Sequence, residues 1–258
     1  MNEINKGRLF MQSLGFKERA ESDQQKGVKH PSYDINITGD FIDLPAFDGV
    51  MTCPSYLDLL DARRSVRAFA DVPITQKQLA FMLWSAGGIQ ATQGNVATFR
   101  PVPSGGARHP FELYVAVKDV EGLESGIYHY VPAKHIGEKK VTIERLRPLF
   151  DDYDTKMTEM LIGQKWLIKS PVIIFISCIP YRAEWRYSNV SHRVMLIDLG
   201  HVGQNLMLSA TALGLGSCCI AAYDQKLCDE AFSFNGIDEY TVYILTLGTP
   251  KLKKYSTK

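Results

Sequence analysis

The chain has 258 residues, of which 45% are hydrophobic and 22% charged, a composition that fits a globular protein with a sizeable core. Its formal net charge of +1 provides no field that would favour nucleic acid or a membrane surface as a partner. Five scattered cysteines without a C-x-x-C pair favour a reducing, cytoplasmic location over a disulfide framework, and no metal-ligand spacing is visible. No secretory signal and no long apolar segment are recognisable.

Residues 1–50 are polar and are punctuated by proline and glycine, with too few apolar residues for a core of their own. We expect a weakly helical arm followed by extended chain that lies against another part of the molecule. Residues 51–258 are expected to form a single domain.

A short helix is predicted after Ser55, a good N-cap residue, with Asp58 in its first turn. It ends in the basic segment (residues 63–67), Arg-Arg-Ser-Val-Arg. Cations at a helix C-terminus are favoured by the helix dipole, so a solvated helix end is one interpretation. The other is a phosphate site, because an extended segment would point Arg63, Ser65 and Arg67 the same way.

Thr75 and Gln78 form a capping-box pattern, which predicts a core-facing helix that ends at Gly87. The glycine loop (residues 100–110), Arg-Pro-Val-Pro-Ser-Gly-Gly-Ala-Arg-His-Pro, follows. Its adjacent glycines permit positive φ and close approach of a ligand to the main chain, and its polar side chains suit a planar heterocycle. An ordinary turn before a strand is the alternative.

Strand-like runs cover residues 111–118 and 126–131, and the stretch at 137–150 is uninformative. A helix is predicted over residues 155–169, before Pro171. The continuous apolar run at 172–179 indicates a strand that is buried on both faces.

The longest helical periodicity covers residues 193–213 and is closed by Gly214. Apolar residues also lie off its main stripe, so we expect this helix to be buried all round, at the centre of the molecule or of a dimer. Strands are predicted from Gly216 to Ala222 and over residues 240–247.

The basic segment, the glycine loop, Gly214-Leu215-Gly216-Ser217 and the closing Leu247-Gly248-Thr249-Pro250, in this order, resemble the nitroreductase-like flavoproteins. The glycine loop and the region of Trp185-Arg186-Tyr187 resemble the SagB-type branch, which includes thiazole/oxazole dehydrogenases. The resemblance covers about residues 40–251. It implies an α+β three-layer fold with a mixed sheet flanked by helices, and a homodimer with FMN at two interface sites.

The resemblance also assigns roles to residues. Phosphate binding would fall to Arg63, Arg64, Ser65 and Arg67, with a further cation from Lys251 or Lys253. The isoalloxazine would be lined by Pro103, Ser104, Gly105 and Gly106, from the opposite subunit. Leu215 and Gly216 would place backbone amides beside its reactive edge. Arg108 could stabilise negative charge on the reduced ring.

Arg186 and Tyr187 stand where azole-forming members of the branch carry a Lys-Tyr pair. An arginine, with a pKa above ~12, cannot act as the general base that a lysine can become. This departure disfavours azoline oxidation. We expect both residues on a loop over the flavin, where Arg186 attracts a nicotinamide phosphate or an anionic acceptor; simple loop packing is the alternative.

These features predict an FMN-dependent oxidoreductase that moves two electrons from NADH or NADPH to a small electrophilic acceptor by a ping-pong mechanism. Two alternatives stay open, namely a SagB-type dehydrogenase that oxidises a peptide azoline and a flavin-binding protein without turnover. The sequence contains no Rossmann acidic residue or arginine that would choose between NADH and NADPH.

Overall fold

The computed structural model describes residues 3–12, 15, 19–35, 39–52 and 55–251. Within them the α-helices are α1 (Glu3–Met11), α2 (Tyr56–Ala62), α3 (Gln76–Gly87), α4 (Tyr153–Met160), α5 (Tyr181–Tyr187), α6 (Ser191–Ala212) and α7 (Gln225–Phe232). The strands are β1 (Asp40–Leu44), β2 (Ala91–Gln93), β3 (Ala97–Phe99), β4 (Phe111–Val117), β5 (Gly126–Tyr130), β6 (Val141–Arg147), β7 (Val172–Cys178), β8 (Gly216–Ile220) and β9 (Tyr240–Gly248).

Seven strands form one sheet in the order β1-β6-β5-β4-β7-β9-β8, and β2 and β3 form a separate hairpin. Every ladder of the large sheet is antiparallel. Parallel pairing in the described residues is confined to isolated bridges, such as Ser65 with Ser217, so the expected mixed character is found only there. The α+β class itself is confirmed.

The sheet lies between two layers of helices, which confirms the three-layer arrangement. Leu113 and Val115 of β4 illustrate one side, where α3 and α6 pack, and those residues share a core cluster with Leu206 of α6. On the opposite side, Tyr114 and Met157 belong to a second cluster with residues of α4 and α7. Because side chains alternate along a strand, β4 is buried along its whole length.

Local signals explain several helix boundaries. The Ser55 side chain accepts a hydrogen bond from the backbone of Asp58 at the start of α2. Thr75 and Gln78 form the predicted capping box of α3. At the end of α6, Gly214 adopts a φ of 70°, which a glycine tolerates without strain. The strands predicted near residues 111, 126, 172, 216 and 240 are also present.

Other predictions were wrong in position. The helix predicted over residues 155–169 ends at Met160, because Ile162 and Gly163 adopt positive φ and reverse the chain. Residues 181–187 form the helix α5, where a loop was predicted. The uninformative stretch contains β6, whose partner β1 lies in the polar first fifty residues.

The circumference of α6 is only partly covered in a single chain. Leu206 is fully buried beneath the sheet, whereas Leu196 and Ile197 are 52% and 50% exposed. The expected burial of α6 on all sides is therefore not found in the single chain. None of the helices in the described ranges combines the length and apolarity that crossing a membrane requires.

Candidate functional site

The basic segment lies beside the start of β8 and the chain that follows β9. The amide of Val66 donates to the carbonyl oxygen of Ser217 at 2.9 Å, and the amide of Lys251 donates to that of Ala68 at 2.8 Å. A Cβ on Gly216 would come within 2.7 Å of Val66, so only glycine allows this approach. The fold therefore brings three of the predicted motifs together.

Arg67 and Lys251 share a cavity of about 560 Å³, here called the basic cavity. Its lining residues are Arg67, Ala68, Phe69, Ala70, Asp71, Trp166, Lys169 and Lys251. The guanidinium of Arg67 stacks over Trp166 at 5.8 Å from the ring centroid. Three cations (Arg67, Lys169 and Lys251) and one carboxylate (Asp71) line this cavity. Among the described residues, neither Arg67 nor Lys251 forms an ion pair. Such a surplus of positive charge suits a phosphate.

The remaining residues of this group behave differently. Arg64 turns its guanidinium back onto the carbonyl oxygens of Asp61 and Arg63, at 2.7 and 2.8 Å, so this side chain caps the end of α2 as the helix-dipole interpretation expects. The amide of Leu215 donates to Ala210 at 2.8 Å and is thereby satisfied within the chain. Lys253 lies outside the described residues. Lys169 and Trp166 carried no signal in the sequence.

A second group of residues forms around the glycine loop. The hydroxyl of Ser104 donates to Asp198 Oδ2 at 2.7 Å, and the amide of Gly105 donates to the same oxygen at 2.9 Å. The Ser104 hydroxyl also accepts from the amide of His109. Burial raises the pKa of Asp198, although the hydrogen bonds from Ser104 and Gly105 oppose this rise. Pro103, just before them, is exposed.

The sequence analysis did not identify Asp198 as a site residue. The signal that could have revealed it is an acidic residue within the apolar periodicity of α6, because a buried carboxylate needs a hydrogen-bond partner.

The glycine loop packs directly on α5 and α6. A Cβ on Gly105 would come within 2.5 Å of Val194 Cγ1. Gly106 has a φ of 61°, and a Cβ there would overlap the Arg186 side chain and approach the Tyr187 hydroxyl at 2.9 Å. Arg186 and Tyr187 therefore contact the loop predicted to line the flavin ring, although they lie on a helix and not on the predicted loop.

Arg108 completes this group. It is 4% exposed, stacks over Trp185 at 5.0 Å and donates from Nη2 to the carbonyl oxygen of Val96 at 2.5 Å. Its Nε is buried without a partner in the described structure. Burial, followed by the neighbouring charge of Arg186, lowers the pKa of Arg108. Burial also lowers the pKa of His109 to about 3, so this imidazole is neutral near pH 7.

The two groups adjoin different parts of α6. The glycine loop is held at Asp198, whereas the basic segment adjoins the chain that leaves α6 after Ala212. Asp198 and Ala212 are 14 positions apart in α6, which corresponds to about 21 Å along the helix axis. A single chain does not bring the predicted phosphate-binding residues next to the predicted ring-binding residues.

Known proteins that match this chain identify its family. The model of the Nitroreductase family matches residues 60–249. A protein of Methanocaldococcus jannaschii named as a nitroreductase is 31% identical over 191 residues, which cover 74% of this chain and 89% of that protein. The resemblance stated from the sequence is thus confirmed.

One further relative is named as a processing protein, and a chain of a solved microcin synthetase complex has a similar structure. The trifolitoxin-processing protein TfxB of Rhizobium leguminosarum is 38% identical over 120 residues, which are 45% of this chain but only 30% of TfxB. The structure of the Escherichia coli microcin synthetase McbBCD complex with truncated pro-MccB17 contains a chain with a TM-score of 0.59. That chain is 18% identical, and the match covers 93% of this chain and 91% of that one. At this identity the match shows a shared fold and nothing more.

Replacing Gly106 by alanine tests the contact between the glycine loop and α5. Alanine at positive φ costs about 1–2 kcal/mol, and the added methyl should also displace Arg186. The control is Gly94→Ala, because Gly94 has a φ of 55° and open space around its Cβ. We expect similar losses of unfolding free energy in urea, but a moved Arg186 only in the crystal structure of Gly106→Ala. An unmoved Arg186 would contradict the packing described here.

Proposed function

Since this chain belongs to the nitroreductase family, we propose that it is an FMN-dependent oxidoreductase that moves two electrons from NADH or NADPH to a small electrophilic acceptor. The observation that carries the proposal is the basic cavity, in which Arg67 and Lys251 meet through backbone pairing of distant segments. Positive charges that lack acidic partners repel one another unless an anion lies among them. A ribityl phosphate, with its two negative charges, would satisfy this requirement.

The residues present fit FMN in both parts of the proposed site. The phosphate would be held by Arg63, Ser65, Arg67 and Lys251. Of these, Arg67 and Lys251 line the basic cavity, to which Lys169 adds a further cation. The ring would lie against Pro103, Ser104, Gly105 and Gly106, of which Pro103 is exposed. When bound, FMN supplies the chemistry by accepting two electrons from one substrate and passing them to the next.

The protein contributes binding and electrostatics to this scheme. Arg108 is fixed between Trp185 and Val96, so its charge is preorganised and needs no rearrangement to stabilise negative charge nearby. Arg186 and Tyr187 border the same loop and are proposed to contact the second substrate. Neither arginine can shuttle a proton near neutral pH.

We further propose a homodimer that joins the two groups of site residues. A two-fold axis beside α6 would place the C-terminal end of one helix against the N-terminal part of the other, which brings a basic segment to a glycine loop. The surface there includes exposed apolar side chains, since α2 buries none of its residues in a single chain. Leu57 is 68% exposed and Ile197 50% exposed.

A second candidate is oxidation of an azoline in a peptide. It is favoured by the 38% identity to TfxB, whose name describes processing of a peptide. Arg186 weighs against it, because a guanidinium cannot take up the proton that ring oxidation releases.

Spectroscopy separates these functions. The purified protein should be yellow, and NADH or NADPH should bleach its visible absorbance under anaerobic conditions, with recovery after an electrophilic acceptor is added. Bleaching by an azoline peptide but by neither nucleotide would establish the second candidate. Bound FMN that neither nucleotide nor the azoline peptide bleaches would contradict both and indicate a flavin-binding protein without turnover.

FMN binding should depend on the basic segment. Each charge-assisted hydrogen bond is worth about 1.5–3 kcal/mol, so the Arg63→Ala/Arg67→Ala variant should bind FMN about 10²- to 10⁴-fold more weakly. Flavin fluorescence titration measures this affinity, and far-ultraviolet circular dichroism monitors the fold. Lys226→Ala removes an exposed charge on α7 as the control. A double variant that remains yellow and binds normally would place the phosphate elsewhere.

Dimerisation should depend on the apolar surface of α2 and α6. The variant Leu57→Glu/Ile197→Glu should sediment as a monomer at equilibrium and lose FMN, since burying unpaired carboxylates in an interface is costly. The control is Ile237→Glu, at an apolar side chain that is 74% exposed in the loop before β9. A wild-type monomer, or a double variant that stays dimeric, would contradict the proposed interface.

A further inference from the structure

The helix α5 carries two arginines one turn apart, and the structure provides them with different partners. Arg182 is 2% exposed and donates from Nη1 to the carboxylate of Glu112 at 2.5 Å. Arg186 is half-buried and donates from Nη1 to the amide oxygen Oε1 of Gln24 at 3.1 Å. The first arginine is neutralised by a buried acid, and the second is held by an uncharged acceptor.

Gln24 belongs to a stretch that follows α5 closely, here called the strap (residues 20–32). The amide of Gln24 donates to the carbonyl oxygen of Trp185 at 2.9 Å, and Trp185 Nε1 donates to the carbonyl oxygen of Val28 at 2.8 Å. Arg182 Nε donates to that of Ser32 at 3.0 Å. These bonds fix the strap along α5, so the Gln24 side chain is a rigid partner for Arg186.

No carboxylate of the described residues lies within ion-pair distance of Arg186. The acid nearest in sequence, Glu184, pairs with His192 at 3.1 Å. A second cation of this region, Arg108, is likewise paired with a carbonyl oxygen and a ring and not with an acid. Arg186 beside the glycine loop and Arg108 within it thus lack a negative partner, which is a surplus that an anionic ligand can satisfy.

We propose that Gln24 is a positioning residue that holds Arg186 for the carboxylate of an anionic acceptor. Its neutral oxygen fixes one Nη1 donor while leaving the guanidinium charge and its other donors for the ligand. A glutamate in the same place would fix the side chain equally well but would neutralise it. This inference rests on the proposed function, because it assigns a substrate class to the same site.

The experiment compares two isosteric ligands, 4-nitrobenzoate and the uncharged 4-nitrobenzamide, by calorimetric titration of the purified protein with its bound cofactor. The wild type should prefer the benzoate. Gln24→Leu and Gln24→Glu should each weaken benzoate binding roughly tenfold and leave benzamide binding unchanged. Gln24→Leu combined with Arg186→Ala should bind benzoate no more weakly than Arg186→Ala alone, because the two residues act as one unit.

The glutamate variant separates positioning from simple structural support. If Gln24 only braces the strap, Gln24→Glu should restore wild-type benzoate affinity, and that result would overturn the inference. Asp23→Ala is the matched control, since it removes the bond between the strap and the Tyr181 hydroxyl without touching Arg186. Equal affinity of Gln24→Leu and wild type for benzoate would also overturn it. Failure of the proposed function would be visible separately, as an absorbance that neither NADH nor NADPH bleaches.

Discussion

The buried ion pair between Arg182 and Glu112 fixes the part of the molecule on which the candidate site depends. Both side chains are almost inaccessible, and His129 Nε2 lies 3.0 Å from the second carboxylate oxygen of Glu112. Burial alone would raise the pKa of Glu112, but Arg182 and His129 lower it to about 2. Removing one partner of such a pair leaves a buried charge and costs about 3–5 kcal/mol. The pair therefore anchors α5 to β4.

With α5 anchored, it can hold two further segments. It contacts the glycine loop so closely that only glycine fits at residue 106, and it binds the strap through the backbone of Trp185 and the side chain of Arg186. Asp198 holds the same loop from α6. A loop rich in glycine would otherwise be free to move, so its order comes from its contacts with α5 and α6.

The sequence predicted those features whose cause is local. The capping box at Thr75 and the closing Gly214 are set by neighbours in the chain, and the continuous apolar run of β7 reflects burial on both faces. The sequence did not predict features whose cause lies far away in the chain. In β6 the alternation of apolar and polar residues does not match burial, because Thr142 and Glu144 are buried as well as the apolar residues. Its partner β1 lies about a hundred positions earlier. The contact of Gln24 with Arg186 also has no local signal.

The separation of the two groups along α6 links cofactor binding to assembly in the proposed dimer. If the phosphate binds to one chain and the ring to the other, the complete site exists only in the dimer. A ligand that binds the dimer and not the monomer must stabilise the dimer by the same free energy with which dimerisation strengthens its binding. Dimerisation through the exposed apolar residues of α2 and α6 and FMN binding in the basic cavity would then be coupled. FMN would be both the cofactor and a determinant of quaternary structure.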